Sequence, residues 1–134
     1  MRAVTPRAAL QAALDWCAQF RYVPERAEFW DTARDLERNL GADCDGFAVA
    51  CIQRAHEAAD EPKPTFYLIV GRVPQGGHAW VEMEAARERL WADPTPEWPK
   101  EIQPPSWWAG RSPMYAYRFD GVIFSERYAY EEVR

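Results

Sequence analysis

The chain has 134 residues, of which 48% are hydrophobic, and its formal net charge is -5. This length and composition predict a single domain over residues 1–134, with one sizeable hydrophobic core. The negative charge and the lack of a Lys/Arg run argue against nucleic-acid binding, and the lack of an 18-residue apolar run argues against a membrane span.

Two helices are predicted before residue 41. The first covers about Pro6–Phe20, with Thr5 as its N-cap and proline at its first position. The second covers about Thr32–Leu40 and ends at Gly41, which suits a C-terminal glycine cap. The chain start leads into an amphipathic helix rather than a signal-peptide core, and three cysteines do not make a disulfide framework. We therefore expect a cytoplasmic protein.

A third helix is predicted from Cys44 to about Asp60. Its apolar stripe includes Cys51, whereas His56 lies three turns from Cys44 towards the polar side, which indicates a solvated surface histidine. We interpret Cys51, like Cys17 in the first helix, as a small buried hydrophobic residue. Cys44 differs because unpaired backbone N–H groups and the helix dipole favour a thiolate at the first helical turn.

The strands follow the third helix. Thr65–Val70 is continuously apolar, which predicts a central strand, and Gly71–Gly77 is predicted to be a connection. From residue 94 to 113 a proline-rich segment with three tryptophans predicts a long irregular loop. Met114–Phe119 and Val122–Tyr128, joined at Asp120–Gly121, predict a terminal hairpin. Helices followed by an antiparallel sheet define an α+β fold.

A second hairpin is predicted between Gly77–Glu84 and Glu88–Asp93. With its turn centred on Ala85–Ala86, residues of matching chemistry face each other, and His78 faces Asp93. Two alanines form a poor two-residue turn, so we expect a longer loop. A shift of two residues would still leave His78 and Asp93 on one face of the sheet.

A thiol, an imidazole and a carboxylate therefore occur in chain order at Cys44, His78 and Asp93. This combination predicts a nucleophile, a general base and the residue that orients the base. The backbone N–H of Cys44 can stabilise an oxyanion, and Trp30 and Asn39 are the candidates for a second donor.

Tryptophans are the candidates for a substrate cleft. Trp80, Trp107 and Trp108 have aromatic surfaces that suit peptide or polyol contacts, and long loops in compact domains are often functional. The alternative is that the tryptophans of the loop fix it onto the core.

The motifs Asp-Cys-Asp-Gly-Phe-Ala, Gly-His-Ala-Trp-Val-Glu and Trp-Ala-Asp-Pro-Thr together resemble the transglutaminase-like superfamily. The segment Phe29–Glu37 is similar to the region before the Cys motif in bacterial transglutaminase-like cysteine proteinases, and the resemblance covers about residues 20–95. It implies a papain-like core with the cysteine on a helix and the histidine and aspartate on neighbouring antiparallel strands. Matched by position, Cys44 is the nucleophile, His78 the base and Asp93 the orienter.

The resemblance also bears on metals. Some of those proteinases bind calcium through acidic residues around the cysteine, which match Asp43 and Asp45, but Gly46 occupies the next acidic position. Asp43 also suits a helix N-cap, and we favour that role. A zinc site on Cys44, Cys51 and His56 has the wrong spacing. We expect no cofactor, with calcium as the alternative.

The function predicted from these residues is thiol-dependent acyl transfer on an amide, most simply by a cysteine peptidase or amidase acting on a protein or peptide. If an amine replaced water, the same site would make a transglutaminase. An arylamine acetyltransferase-like enzyme and a peptidoglycan amidase are further possibilities within this class. A hypothesis of a different class is a catalytically idle peptide-binding module on the same fold.

Overall fold

The computed structural model describes residues 4–22, 41–42, 44–124 and 126–133. The regular elements in these ranges are, in chain order, α1 (Pro6–Cys17), β1 (Arg21–Tyr22), β2 (Gly41–Ala42), α2 (Cys44–Ala58), β3 (Thr65–Val73), β4 (Gly76–Ala85), β5 (Glu88–Ala92), β6 (Ser112–Arg118) and β7 (Glu126–Ala129). Short 3-10 turns occupy Pro105–Trp107 and Tyr130–Glu132. The predicted helix over Thr32–Leu40 lies outside the described residues.

The first helix begins as predicted and ends early. The Thr5 hydroxyl accepts a hydrogen bond of 3.1 Å from the Ala8 N–H, so Thr5 is the N-cap. The helix ends at Cys17 rather than Phe20, because the backbone tightens into bonds over three residues, from Gln19 N–H to the Trp16 carbonyl and from Phe20 N–H to the Cys17 carbonyl.

The second described helix, α2, is buried on more than the predicted stripe. Gly46, Val49 and Ala50 are buried beside the expected apolar residues, whereas Ala58 is exposed. The reason is that α2 packs between α1 on one side and strands β3 and β4 on the other. A helix contacted on two sides has apolar residues around most of its circumference. Neither helix in the described ranges is long and apolar enough to cross a membrane.

The main sheet is antiparallel and has the order β5-β4-β3-β6-β7, so β3 is central as predicted. The predicted connection over Gly71–Gly77 is wrong, because β3 and β4 stay paired as far as Val73 and Gly76 and are joined by Pro74–Gln75 alone. The two-residue strands β1 and β2 form a separate parallel pair. Helices followed by an antiparallel sheet confirm the α+β prediction.

The β4–β5 hairpin differs from the predicted register by two residues. Glu82 pairs with Trp91 and Met83 pairs with Leu90. The turn is Ala86–Arg87, with positive φ angles of 49° and 67°, so the longer loop that we expected is not formed. Two successive left-handed residues are the geometry of a tight hairpin turn. Because the shift is even, every side chain keeps its predicted face.

The sheet separates two apolar clusters. On the helix side, Ala79, Val81 and Met83 of β4 join the main core with α1 and α2. On the opposite side, Trp80 packs with Trp91, which in turn packs with Tyr130 of the C-terminal 3-10 turn.

The terminal hairpin has a shorter second strand and a longer connection than predicted. Strand β6 begins two residues earlier than expected, whereas β7 begins only at Glu126. The Asp120 carboxylate accepts hydrogen bonds of 2.8 Å from the backbone N–H groups of Val122 and Ile123, which hold these two residues in the connection.

Candidate active site

The three residues predicted to act together are positioned by three elements. Cys44 is the first residue of α2, where it is half-buried against the main core that includes Ala79. His78 lies in β4, and Asp93 directly follows β5. The β4–β5 pairing ends at Val81 and Ala92, so His78 and Asp93 lie beyond the last backbone pair.

The side chains of His78 and Asp93 nevertheless meet. The imidazole Nε2 lies 2.7 Å from the Asp93 Oδ2, with 10% of the imidazole side chain exposed and none of the aspartate. An ionised carboxylate only accepts hydrogen bonds, so Nε2 carries the proton that is donated. The other ring nitrogen, Nδ1, then has a lone pair with which to accept a proton.

Asp93 is held by two further donors. Arg111 Nη2 donates to Oδ2 over 2.7 Å, and the Thr95 backbone N–H donates to Oδ1 over 3.0 Å. Burial alone would raise the pKa of Asp93, but its interactions with His78, the charge of Arg111 and the hydrogen bond from the Thr95 backbone outweigh burial. The net pKa lies below the ordinary value, so the carboxyl group is ionised at neutral pH.

Arg111 was not among the predicted site residues. Its side chain is 2% exposed, and its guanidinium carbon lies 4.9 Å from the ring centre of Trp80, 4.5 Å from that of Trp98 and 4.6 Å from that of Trp108. Three aromatic rings thus enclose one cation. The sequence signal was an arginine at the end of a tryptophan-rich segment, but no spacing rule links it to Asp93.

The described tryptophans near the site pack onto the domain, which for the loop is the alternative that the sequence left open. Trp80 is fully buried between the sheet and Arg111, so it does not line an open cleft as predicted. Trp108 is half-buried and also packs on Arg111, while the side chain of Trp107 lies outside the described part. Trp98 is half-buried, and its ring centre lies 5.8 Å from that of His78. Trp98 therefore contacts the imidazole from this segment.

The segment after Asp93 is fixed to the domain rather than free. Trp91 and Gln103 exchange backbone hydrogen bonds of 2.7 and 3.1 Å. The Lys100 ammonium donates to the Thr95 carbonyl over 2.6 Å and also to that of Trp98. The Trp98 ring therefore sits on a closed and supported loop.

The other two cysteines behave as predicted. Cys17 and Cys51 are buried, and none of the three cysteines is in a disulfide. A side-chain hydrogen bond with Cys17 and burial raise the pKa of Cys51 well above the ordinary value, so it stays a thiol. The negative charge of Asp93 contributes to the same rise.

His56 is less solvated than predicted. It is half-buried, with ring centres 5.1 Å from Phe119 and 6.3 Å from Phe66. Burial, followed by the charge of Lys63, lowers its pKa. The connection between β6 and β7 covers this part of α2, which helical periodicity alone does not reveal.

Some predicted residues cannot be placed. Trp30, Asn39 and Asp43 lie outside the described residues, whereas Asp45 is in the first turn of α2. Within the described ranges, no three His, Cys, Asp or Glu side chains converge as ligands for a metal ion.

Comparison with solved structures identifies the fold. The calcium-bound structure of LapG from Legionella pneumophila matches with a TM-score of 0.75 and 14% identity over 93% of this chain and 69% of LapG. A second LapG structure gives a TM-score of 0.72 at 15% identity, covering 90% and 69%, and an EGTA-treated one gives 0.69 at 15%, covering 95% and 73%. No protein-family model and no curated protein matches the sequence.

The described elements and this similarity define a protein with the fold of LapG. This confirms the transglutaminase-like fold predicted from the three motifs. At 14–15% identity the similarity is one of fold, and the chemistry of the site is argued from this chain's own residues.

Proposed function

We propose that this chain is a thiol-dependent acyl-transfer enzyme, in the first place a cysteine peptidase or amidase that acts on a protein or peptide. The observation that carries the proposal is the short His78–Asp93 hydrogen bond, made by a buried, ionised carboxylate. The helix that begins with Cys44 packs on β4, the strand that carries His78. A histidine held in this way can act as a base for a thiol. The LapG fold supports the same class of enzyme.

Acylation would begin with proton transfer from the Cys44 thiol to His78 Nδ1. The thiolate attacks the carbonyl carbon of the amide, and a C–S bond forms while the carbonyl oxygen becomes an oxyanion. The backbone N–H of Cys44 can donate to that oxyanion. When the C–N bond breaks, the imidazolium returns its proton to the departing amine, while Asp93 keeps the ring in the Nε2–H tautomer.

Deacylation would use the same groups in reverse. His78 takes a proton from water, the hydroxide attacks the thioester, and the carboxylic acid leaves as the thiol of Cys44 is restored. An amine in place of water would give a new amide and make the enzyme a transglutaminase. Peptidase activity is our proposal because the sequence motifs resemble the proteinase branch most closely.

This scheme requires the thiol and the imidazole to meet at one end of the sheet. Along β4, Ala79 and Val81 pack towards the helices, and Trp80 packs on the opposite side. By alternation His78 shares the side of Trp80, on which their rings stack with centres 6.3 Å apart. We infer that Cys44 approaches His78 where the β4–β5 pairing has ended, since no backbone pair closes that end.

Calcium has no step in this scheme. One LapG structure is calcium-bound, and Asp45 is the described acidic residue beside Cys44, but no cluster of ligands forms among the described residues. We propose that catalysis uses no cofactor.

The test is the alkylation rate of Cys44 with iodoacetamide at neutral pH, followed by mass spectrometry of each cysteine. A free cysteine is only a few per cent thiolate at pH 7, so we expect His78→Gln to slow the labelling of Cys44 roughly tenfold or more. His56→Gln is the matched control, because it removes the chain's other histidine and should leave the rate unchanged.

The same variants should be assayed on fluorescently labelled casein, with and without dansylcadaverine as an amine acceptor. Release of labelled peptides that is lost in Cys44→Ala supports the peptidase, and incorporation of the amine supports the transglutaminase. If His78→Gln leaves the labelling of Cys44 unchanged, the two residues do not act together and the proposal is wrong.

A further inference from the structure

The Oδ2 atom of Asp93 accepts two hydrogen bonds of equal length. His78 Nε2 and Arg111 Nη2 each lie 2.7 Å from this one oxygen. The second oxygen, Oδ1, accepts from the backbone of Thr95. The position and plane of the carboxylate are thus set by an arginine and a backbone amide, and the imidazole is the remaining donor to it.

Arg111 is itself held unusually firmly. Its guanidinium lies within 5 Å of the ring centres of Trp80, Trp98 and Trp108, and its side chain is almost fully buried. Among the described residues its buried Nη1 has no hydrogen-bond partner, and the three rings and the bond to Asp93 determine its orientation. A planar cation enclosed by aromatic faces has little rotational freedom.

An arginine kept only for stability would not need this arrangement. Leaving a buried N–H unpaired is unfavourable, and an apolar side chain would fill an aromatic enclosure without that penalty. The guanidinium therefore has a second effect, which is exerted through Asp93. It favours the ionised carboxylate and fixes the direction in which Oδ2 faces His78.

We propose that Arg111 is a positioning residue for acyl transfer, which fixes the Asp93 carboxylate so that His78 keeps its proton on Nε2 and its Nδ1 free for the thiol. This inference rests on the proposed function. In the proposed reaction Arg111 acts only through Asp93.

The test compares Arg111→Gln and Arg111→Lys with the matched control Arg127→Gln. Arg127 lies on an aromatic ring too, with its guanidinium carbon 4.8 Å from the Tyr115 ring centre, but it is exposed and belongs to β7. Partners that orient catalytic or metal-binding groups typically change activity about 10- to 100-fold when removed. We expect a loss of this size in kcat for Arg111→Gln, with KM unchanged, partial recovery in Arg111→Lys and no change in Arg127→Gln.

Two further measurements separate positioning from stability. The charge of Arg111 helps to lower the pKa of Asp93, so Arg111→Gln should move the acid limb of the kcat profile to higher pH. Nitrogen-15 spectra of the ring nitrogens should show Nε2-protonated His78 in the unmutated chain and a mixture of tautomers in Arg111→Gln. His56 is the internal reference, because it does not contact Asp93.

The inference is overturned if folded Arg111→Gln keeps the wild-type tautomer of His78 and the wild-type acid limb, whatever its melting temperature. If Arg111→Gln does not fold, Arg111→Met takes its place, because it also removes the cation but keeps an apolar chain among the tryptophans. Wild-type spectra and kinetics in folded Arg111→Met, with a lowered melting temperature, would mean a structural role alone. Failure of the proposed function has a different signature, since an unreactive Cys44 in the unmutated chain leaves the tautomer measurement intact. If the tautomer changes in Arg111→Gln while Cys44 of the unmutated chain is unreactive, the proposed enzyme activity is refuted. The role of Arg111 in positioning Asp93 would still stand.

Discussion

Replacing Asp93 by Asn should destabilise the fold because it removes the counter-charge of a buried arginine. Neither side chain has water to compensate, since Asp93 is 0% exposed and Arg111 is 2% exposed. Breaking a buried ion pair by removing one partner typically costs about 3–5 kcal/mol. Either orientation of the new amide leaves a conflict, because an NH₂ group faces the Thr95 N–H in one and Arg111 in the other.

The complementary variant is Arg111→Met, which removes the cation and keeps an apolar chain among the tryptophans. Asp93 would retain its bonds from His78 and Thr95, so we expect a smaller loss, about 1.5–3 kcal/mol, as for a hydrogen bond to a charged group. The double variant lacks both charges, and its loss should fall short of the sum of the single losses by about 1.5 kcal/mol or more.

Urea unfolding of the four proteins at pH 7 measures this coupling free energy. If the two single losses add up to the loss of the double variant within about 0.5 kcal/mol, the ion pair is not a stabilising unit. The pH dependence gives a second check. Because the pKa of Asp93 is lowered by folding, its contribution is complete above the ordinary value of 3.8 and is lost as the pH falls through the lowered pKa. The difference in unfolding free energy between wild type and Asp93→Asn should therefore decrease in that pH range.

Three further predictions concern other parts of the molecule. Tyr130→Phe should lower the unfolding free energy by about 1.5–3 kcal/mol in urea titrations, because Tyr130 donates to the buried Glu82 carboxylate. Glu82→Gln should change the unfolding free energy by no more than about 1 kcal/mol, because Oε2 has no hydrogen-bond partner among the described residues. Gly71→Ala should destabilise the fold by about 1–3 kcal/mol or prevent folding, because the new Cβ would lie 2.2 Å from the Ser112 carbonyl oxygen. A thermal melt measures this, with Gly77→Ala as the control because its Cβ would meet nothing within 4 Å. Excess EGTA should leave the iodoacetamide labelling rate of Cys44 unchanged, and a calcium-dependent rate would show that the acidic residues around Cys44 bind the ion.

Local sequence patterns predicted the β4–β5 hairpin but not its register. Pairing residues by matching chemistry put Trp80 opposite Trp91, whereas the structure pairs Trp91 with Glu82. The difference arises at Ala86–Arg87, where two non-glycine residues adopt positive φ. Such a conformation is unfavourable for an isolated chain, so propensity argues against it, and the paired strands on both sides compensate for it.

Contacts between segments distant in sequence caused two further errors. Trp80 was predicted to line a cleft because aromatic surfaces suit peptide contacts, and the sequence did not reveal what covers its face of the sheet. That face is covered instead by Tyr130 and Trp108, which belong to a short turn and an irregular segment without periodicity. His56 was predicted to be solvated from helical periodicity alone, which does not show that Phe119 reaches it from the end of β6.

The geometry at Asp93 explains why the motif Trp-Ala-Asp-Pro-Thr is informative even though the predicted register was shifted. His78 and Asp93 lie outside the β4–β5 ladder, so their contact depends on side chains and on the donors around the carboxylate rather than on strand pairing. Thr95, the last residue of the motif, supplies one of those donors from its backbone. The other is Arg111, which follows an irregular segment and is brought to Asp93 by the path of that segment. The two local motifs can therefore specify the carboxylate, its imidazole partner and one donor, whereas the second donor is determined only by tertiary folding.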